Sequence, residues 1–193
     1  MTKHFLDLVY KILGIKKINT GKSEDYPVIY RNAYEYLTDS QTGSYFNPRE
    51  WPVPDDLKFV KTEVLYNLDK TRHEFGRPVF PSGVADGLVR RSGSKTSRHY
   101  IGDGSMGEAI DVFPSVDVLD FWLLCVENRA WRGIGVYLDT NKNSRQPQPM
   151  VHLDVGNREH GKKVFWVRDN GKYIYKHKDP VRFWSLLAEA SKR

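Results

Sequence analysis

Five short runs in the second half of the sequence have the composition of β-strands, and they constrain the fold more than any other feature. They read EAIDVF, GIGVY, MVHLDV, VFWVR and KYIYK, and several are rich in β-branched and aromatic residues. Asn170 and Gly171 separate the last two runs, which predicts a tight hairpin turn. Strands this short and this closely spaced are expected to form one small sheet.

Three segments with helical periodicity lie before and among these runs. The first is capped at Asp55 or Asp56 and ends at Gly76, the second follows Pro114, and the third begins at Asp179. Helices that precede and surround consecutive short strands predict the α+β class.

A fourth amphipathic helix is predicted close to the N-terminus. Its apolar stripe runs from Phe5 to Leu13, and a polar, turn-rich segment follows it. We therefore divide the chain into an N-terminal helix with its linker, residues 1–42, and a main domain, residues 43–193. Packing of this helix on the core and its projection as an arm are equally compatible with the pattern.

Composition and charge restrict the functional classes. A chain of 193 residues with 39% hydrophobic residues can bury one globular core, and its longest apolar run, residues 121–126, is far below the ~20 residues of a membrane span. We expect no membrane partner. Charges at Lys3, Asp7 and Lys11 interrupt the N-terminal apolar stretch, so no signal peptide is expected and synthesis in the cytoplasm is predicted.

The formal net charge of +6 favours an anionic partner. Nucleic acid is not the expected one, because the aromatic residues do not alternate with Lys and Arg in any recognition motif.

Polar side chains occupy strand positions where core residues are otherwise expected. Strand alternation places Asp111 on the face shared by Ala109 and Phe113, and it places His152 beside Asp154. Half-buried groups of this kind must be satisfied by hydrogen bonds or by a metal ion. From these strands alone, a hydrogen-bonded histidine–carboxylate pair is the commoner arrangement, and a metal site is the alternative.

His99 shifts this balance because it lies in a loop rich in glycine and serine that leads into the Asp111 strand. Three motifs then follow one another in the chain: Ser97-Arg98-His99, Gly107-Glu108-Ala109-Ile110-Asp111 and Val151-His152-Leu153-Asp154. This ordered set resembles the zinc-dependent M15 peptidases, the superfamily of D-alanyl-D-alanine carboxypeptidases and hedgehog-like metallopeptidases. The resemblance runs from about Tyr45 to Trp166, and the GIGVY run and Trp166 are similar to the phage and bacterial subfamily.

The resemblance implies a hedgehog/DD-peptidase-like fold with a small antiparallel sheet flanked by helices. It also implies Zn²⁺ bound by His99, Asp111 and His152, a donor set that leaves an open position for water as catalytic zinc requires. The implied activity is hydrolysis of amide bonds in peptidoglycan stem peptides or cross-links. The implied setting is a phage endolysin or virion-associated lysin acting at the cell wall or periplasm.

The sequence departs from the family pattern at the positions of the general base and the arginine. Pro149 stands where relatives often carry the base, so the candidates are Asp154, which alternatively orients a ligand, and His160. Arg90 or Arg91 is the candidate substitute for the missing arginine. The interval between His99 and Asp111 is also longer than is usual in the family.

These departures support an alternative function. In it, the domain is catalytically impaired and serves as a structural or binding component of a phage tail, attached to other tail proteins through the N-terminal helix.

Overall fold

A mixed six-stranded sheet forms the centre of the protein. The computed structural model describes residues 30–140, 149–158 and 161–192, so the predicted N-terminal helix and His160 lie outside the described residues. The strands are β1 (Val79–Pro81), β2 (Ala109–Pro114), β3 (Gly133–Tyr137), β4 (Met150–Asp154), β5 (Val164–Asp169) and β6 (Lys172–Tyr175). Their spatial order is β1-β2-β4-β3-β5-β6. All five predicted strands are confirmed, and β1 adds one at the edge.

The sheet is not wholly antiparallel, which corrects the expectation from the sequence. β3 and β5 pair in parallel, whereas the other neighbours are antiparallel. β4 is already paired on both sides, with β2 and β3, so the returning strand β5 can only join the sheet at the free edge of β3. The predicted hairpin between β5 and β6 is confirmed, and Asn170 and Gly171 have positive φ angles of 48° and 75°.

In the described part of the chain, four α-helices accompany the sheet: α1 (Ala33–Thr38), α2 (Thr62–Phe75), α3 (Val118–Glu127) and α4 (Pro180–Ala190). Gly76 ends α2 in the left-handed conformation, and Asp179 caps α4 through the backbone N–H of Arg182, both as predicted. Among the described residues, no helix is both long and apolar enough to cross a membrane.

The helix predicted from Asp55 or Asp56 begins later than the sequence indicates. Residues Pro54–Phe59 form a 3₁₀ helix, and the chain then breaks before α2. The break is caused by pairing with the segment before β2, because Gly107 donates to the carbonyl of Phe59 and accepts from the backbone N–H of Lys61. This pairing fixes the entry of β2.

The two faces of the sheet have different environments. Ile110, Ile134, Leu153 and Val167 are fully buried on the face that packs in the main core with the helices. The other face carries the polar strand residues identified from the sequence and a smaller cluster of buried side chains, namely Phe113, Tyr137, Met150 and Trp166. The candidate site therefore lies on the face opposite the main core.

Helix α1 belongs to the main core, so the predicted boundary after residue 42 falls within the folded unit. Ala33, Tyr36 and Leu37 are buried in the main cluster, and the backbone N–H of Ala33 donates to the carbonyl of Val60. These contacts were not visible in the sequence, because a six-residue helix is too short for a clear periodicity.

Substitution of Leu37 tests this placement. Leu37→Ala is expected to lower the free energy of unfolding by about 2 to 3 kcal/mol, because it leaves a cavity in the core. Urea denaturation would measure the change, and the exposed neighbour Thr38 provides the control, since Thr38→Ala should stay within about 0.5 kcal/mol of the parent. Equal stabilities of the two variants would show that α1 is only loosely attached.

Candidate metal centre

Three buried side chains bring one ligand atom each to a common point. Nε2 of His99 lies 3.1 Å from Nδ1 of His152 and 3.4 Å from Oδ1 of Asp111, and the latter two atoms are 2.8 Å apart. The three side chains are 2 to 8% exposed. These residues form a group that could hold a metal ion, as the sequence predicted.

The three atoms lie nearly as far apart as the ligand atoms of a small tetrahedral ion. Ligand atoms about 2.0 to 2.2 Å from such an ion are roughly 3.3 to 3.6 Å from one another. One observed distance, 3.4 Å, lies in this range, and the other two, 2.8 and 3.1 Å, would lengthen by a few tenths of an ångström on binding. Imidazole nitrogens with a carboxylate oxygen are suitable donors for zinc and related ions. The residues present therefore fit a metal ion of this kind.

Strand pairing places two of the three ligands side by side. Asp111 in β2 is the direct register partner of His152 in β4, so their side chains leave the same face of the sheet. His99 arrives from the preceding loop. The loop is held because the His99 carbonyl accepts from the backbone N–H of Arg90, and the Arg90 carbonyl accepts from Ile101.

Both histidines have an acceptor on the nitrogen that faces away from the triangle. The carbonyl of Leu88 lies 3.1 Å from Nδ1 of His99, and Oδ2 of Asp154 lies 3.4 Å from Nε2 of His152. An acceptor at one nitrogen keeps the proton there and leaves the lone pair of the other nitrogen for a metal. Leu88 was not identified from the sequence, because a backbone carbonyl carries no sequence signal.

Two glycines of the GIGVY run leave room for the site. Gly135 is the register neighbour of His152, and a Cβ atom at this position would overlap the indole ring of Trp166. The ring of Trp166 instead packs beside His152, with 5.2 Å between ring centroids. A Cβ atom at Gly133 would overlap the carboxylate of Asp154. The absence of two side chains thus allows two others to approach His152.

Contacts at the triangle shift the pKa values of His152 and Asp111. Burial disfavours the imidazolium form of His152, but its contacts with Asp111 and Asp154 outweigh burial and raise its pKa to about 9. Burial also opposes ionisation of Asp111, yet the two histidines hold its pKa well below the usual range. In the metal-free protein His152 is therefore protonated at neutral pH, and a bound metal must displace that proton.

The raised pKa of His152 predicts how the stability of the metal-free protein depends on pH. Between pH 6.5 and 9 the native state binds more protons than the unfolded state, so stability falls as pH rises, by at most about 1.4 kcal/mol per pH unit. Urea denaturation with a chelator present, from pH 6.5 to 8, would measure this slope. The slope is read at the lower end of this range, because Lys163, whose pKa burial lowers to about 8, contributes an effect of the opposite sign near pH 8.

The control for this measurement is His152→Gln, which cannot titrate and should lose the downward slope. A slope that is the same in both proteins would show that His152 carries no excess proton in the native state.

The two predicted arginines do not lie at the triangle. Arg91 forms an ion pair with the buried carboxylate of Asp56, with 2.5 Å between Nη2 and Oδ1, and Arg90 donates through Nε to the carbonyl of Asp86. Both side chains therefore have other partners in this structure. Their assignment as catalytic residues stays a prediction.

Of the two predicted candidates for the general base, the structure describes Asp154 and not His160. Asp154 is fully buried and contacts the nitrogen of His152 that faces away from the triangle, so its position favours the orienting alternative. Pro149 is buried beside β4. Within the described parts of the chain, Asp154 is the only carboxylate or imidazole from outside the triangle that makes a hydrogen bond or ion pair with the three ligand side chains.

Comparison with known proteins adds no family assignment. No protein-family model matches the chain, and neither the curated proteins nor the solved structures include a similar one. The interpretation of the site therefore rests on its residues and their geometry.

Proposed function

We propose that the protein is a zinc-dependent peptidase that hydrolyses amide bonds in peptidoglycan stem peptides or cross-links, in the setting of a phage endolysin or virion-associated lysin. The observation that carries the proposal is the buried triangle of His99, Asp111 and His152, in which two imidazole nitrogens and one carboxylate oxygen lie 2.8 to 3.4 Å from one another. The ordered motifs that contain these residues support the peptidase class. The hedgehog/DD-peptidase-like fold is part of the same proposal.

The residues at the proposed site have two roles, which are binding the ion and orienting its ligands. His99, Asp111 and His152 would hold the ion, which when bound activates a water molecule and polarises the scissile carbonyl. The carbonyl of Leu88 and the carboxylate of Asp154 keep the two imidazole rings in the ligating orientation. The indole of Trp166 covers one side of His152 and excludes water from it. The net charge of +6 favours approach to an anionic cell wall.

Peptidoglycan digestion tests the proposed activity. The zinc-loaded protein should release fragments with new amino and carboxyl ends from at least one peptidoglycan chemotype, as detected by mass spectrometry, and His152→Ala should release none. A wild-type protein that holds one zinc per chain yet cleaves no chemotype would exclude the peptidase and favour the alternative below.

The alternative is a catalytically impaired domain that acts as a structural or binding component of a phage tail. The observation in its favour is the engagement of Arg90 and Arg91 away from the triangle, together with Pro149 at the usual position of the base. Attachment to tail proteins through the N-terminal helix belongs to this alternative.

Substitution of Asp154 distinguishes its two predicted roles. Because Asp154 contacts the outward nitrogen of His152, Asp154→Asn is expected to weaken zinc affinity by about 10-fold to 100-fold and to lower cleavage in parallel. Competition with a chromogenic chelator would measure the affinity. If cleavage were lost while zinc affinity stayed at the wild-type value, Asp154 would be the base instead.

A further inference from the structure

A chain of contacts leads outward from the metal centre through Asp154 to Arg158. Nε2 of His152 faces Oδ2 of Asp154, and the same oxygen forms an ion pair with Nη2 of Arg158. Arg158 follows β4 and lies four residues beyond Asp154, so the two side chains are brought together locally. Arg158 was not identified from the sequence, because no motif contains it.

Arg158 is one of the cations that balance the charge of the Asp154 carboxylate, together with His152 and Arg98. Asp154 is fully buried, and its second oxygen, Oδ1, has no hydrogen-bond partner among the described residues. A buried carboxylate without a counter-charge is costly, and one that also lacks hydrogen bonds would reorient or move towards solvent. Arg158 is 24% exposed and supplies one counter-charge from the rim of the site.

The ion pair between Asp154 and Arg158 needs the space that a glycine leaves. A Cβ atom at Gly133 would overlap Oδ2 of Asp154 and lie 2.6 Å from Nη2 of Arg158. The ion pair therefore occupies the volume that a side chain at residue 133 would fill. Glycine at residue 133 therefore leaves room for the orientation in which Oδ2 of Asp154 contacts both His152 and Arg158.

We infer that Arg158 is a positioning residue for the metal ligand His152, acting through Asp154. The inference rests on the proposed metal centre, but it does not require that the protein cleave peptidoglycan. Its physical content is that Arg158 holds Asp154, Asp154 holds the proton on Nε2, and Nδ1 of His152 is thereby presented to the ion.

Zinc affinity, measured by competition with a chromogenic chelator, tests this role. Arg158→Ala is expected to weaken zinc binding about 10-fold, and Arg158→Lys, which keeps the charge, should lie closer to the wild type. The matched control is Arg132→Ala, because Arg132 precedes β3 and its side chain donates to the carbonyl of Gly161. This control should bind zinc with wild-type affinity.

A double-mutant cycle separates positioning from general stabilisation. If Arg158 acts through Asp154, then Arg158→Ala should cause little further loss of affinity in an Asp154→Asn background. Additive losses, or wild-type affinity in Arg158→Ala, would overturn the inference. If Arg158→Ala fails to fold, Arg158→Gln and Arg158→Lys give the same comparison, and wild-type affinity in both would overturn it.

The outcomes also distinguish this inference from the proposed function. A wild-type protein that binds zinc but cleaves no peptidoglycan would overturn the peptidase proposal alone. A wild-type protein that binds no zinc would overturn the metal centre and this inference together.

Discussion

His152→Ala is expected to abolish stoichiometric zinc binding, from about one ion per chain to a trace. His152 supplies one of three ligand atoms and is the only one that contacts both of the others within 3.1 Å. Loss of an outer contact already weakens metal binding by about 10-fold to 100-fold, so loss of a ligand should exceed 100-fold. Elemental analysis of the purified, dialysed protein would measure the ratio of zinc to chain.

An exposed histidine provides the matched control for this experiment. His177 lies at the surface beside Tyr175, and His177→Ala should retain the full zinc content. Circular dichroism would establish that both variants are folded. If His152→Ala retained one zinc per chain, the three-residue site would be wrong.

Zinc loading is expected to raise the melting temperature by about 8 to 16 °C. An ion present at 1,000 times its dissociation constant stabilises the native state by about 4 kcal/mol, and a protein of this size gains about 2 to 4 °C per kcal/mol. The physical reason is that one ion joins the loop of His99 to strands β2 and β4. Differential scanning calorimetry, with a chelator in one sample and zinc in the other, would measure the shift.

The same scans on His152→Ala should show a shift close to zero, because this variant lacks a ligand. Equal melting temperatures of the zinc-loaded and chelator-treated wild type would contradict the predicted coupling between the site and the fold. A shift of the same size in His152→Ala would place the responsible ion elsewhere.

Local chemistry made much of the fold predictable from the sequence. The strand residues are β-branched and aromatic, Asn170 and Gly171 accept the positive φ angles of the hairpin, and Gly76 accepts the left-handed end of α2. Each of these features depends on a residue and its immediate neighbours. The start of α2 was misplaced because it is decided by pairing with Gly107, more than forty residues away.

The candidate ligands were predictable for a related reason. Strand alternation placed Asp111 on the face shared by Ala109 and Phe113, and it placed His152 on the same face as Asp154. The ordered motifs added His99. The partners of Arg90 and Arg91 were not predictable, because a guanidinium on a long side chain can reach several partners. The buried carboxylate that engages Arg91 lies in a distant part of the sequence, at Asp56.

The sequence by itself determined strands β2 to β6, the presence of helices α2 to α4, and which three residues offer metal-binding atoms. Only the tertiary structure decided that β5 pairs in parallel with β3, that α1 packs in the core, and that Asp154 faces the outward nitrogen of His152. The physical reason is the separation along the chain of the residues that interact. Backbone conformation follows from local sterics and hydrogen bonding, whereas strand order, ring orientation and ion pairing follow from contacts between segments that are distant along the chain.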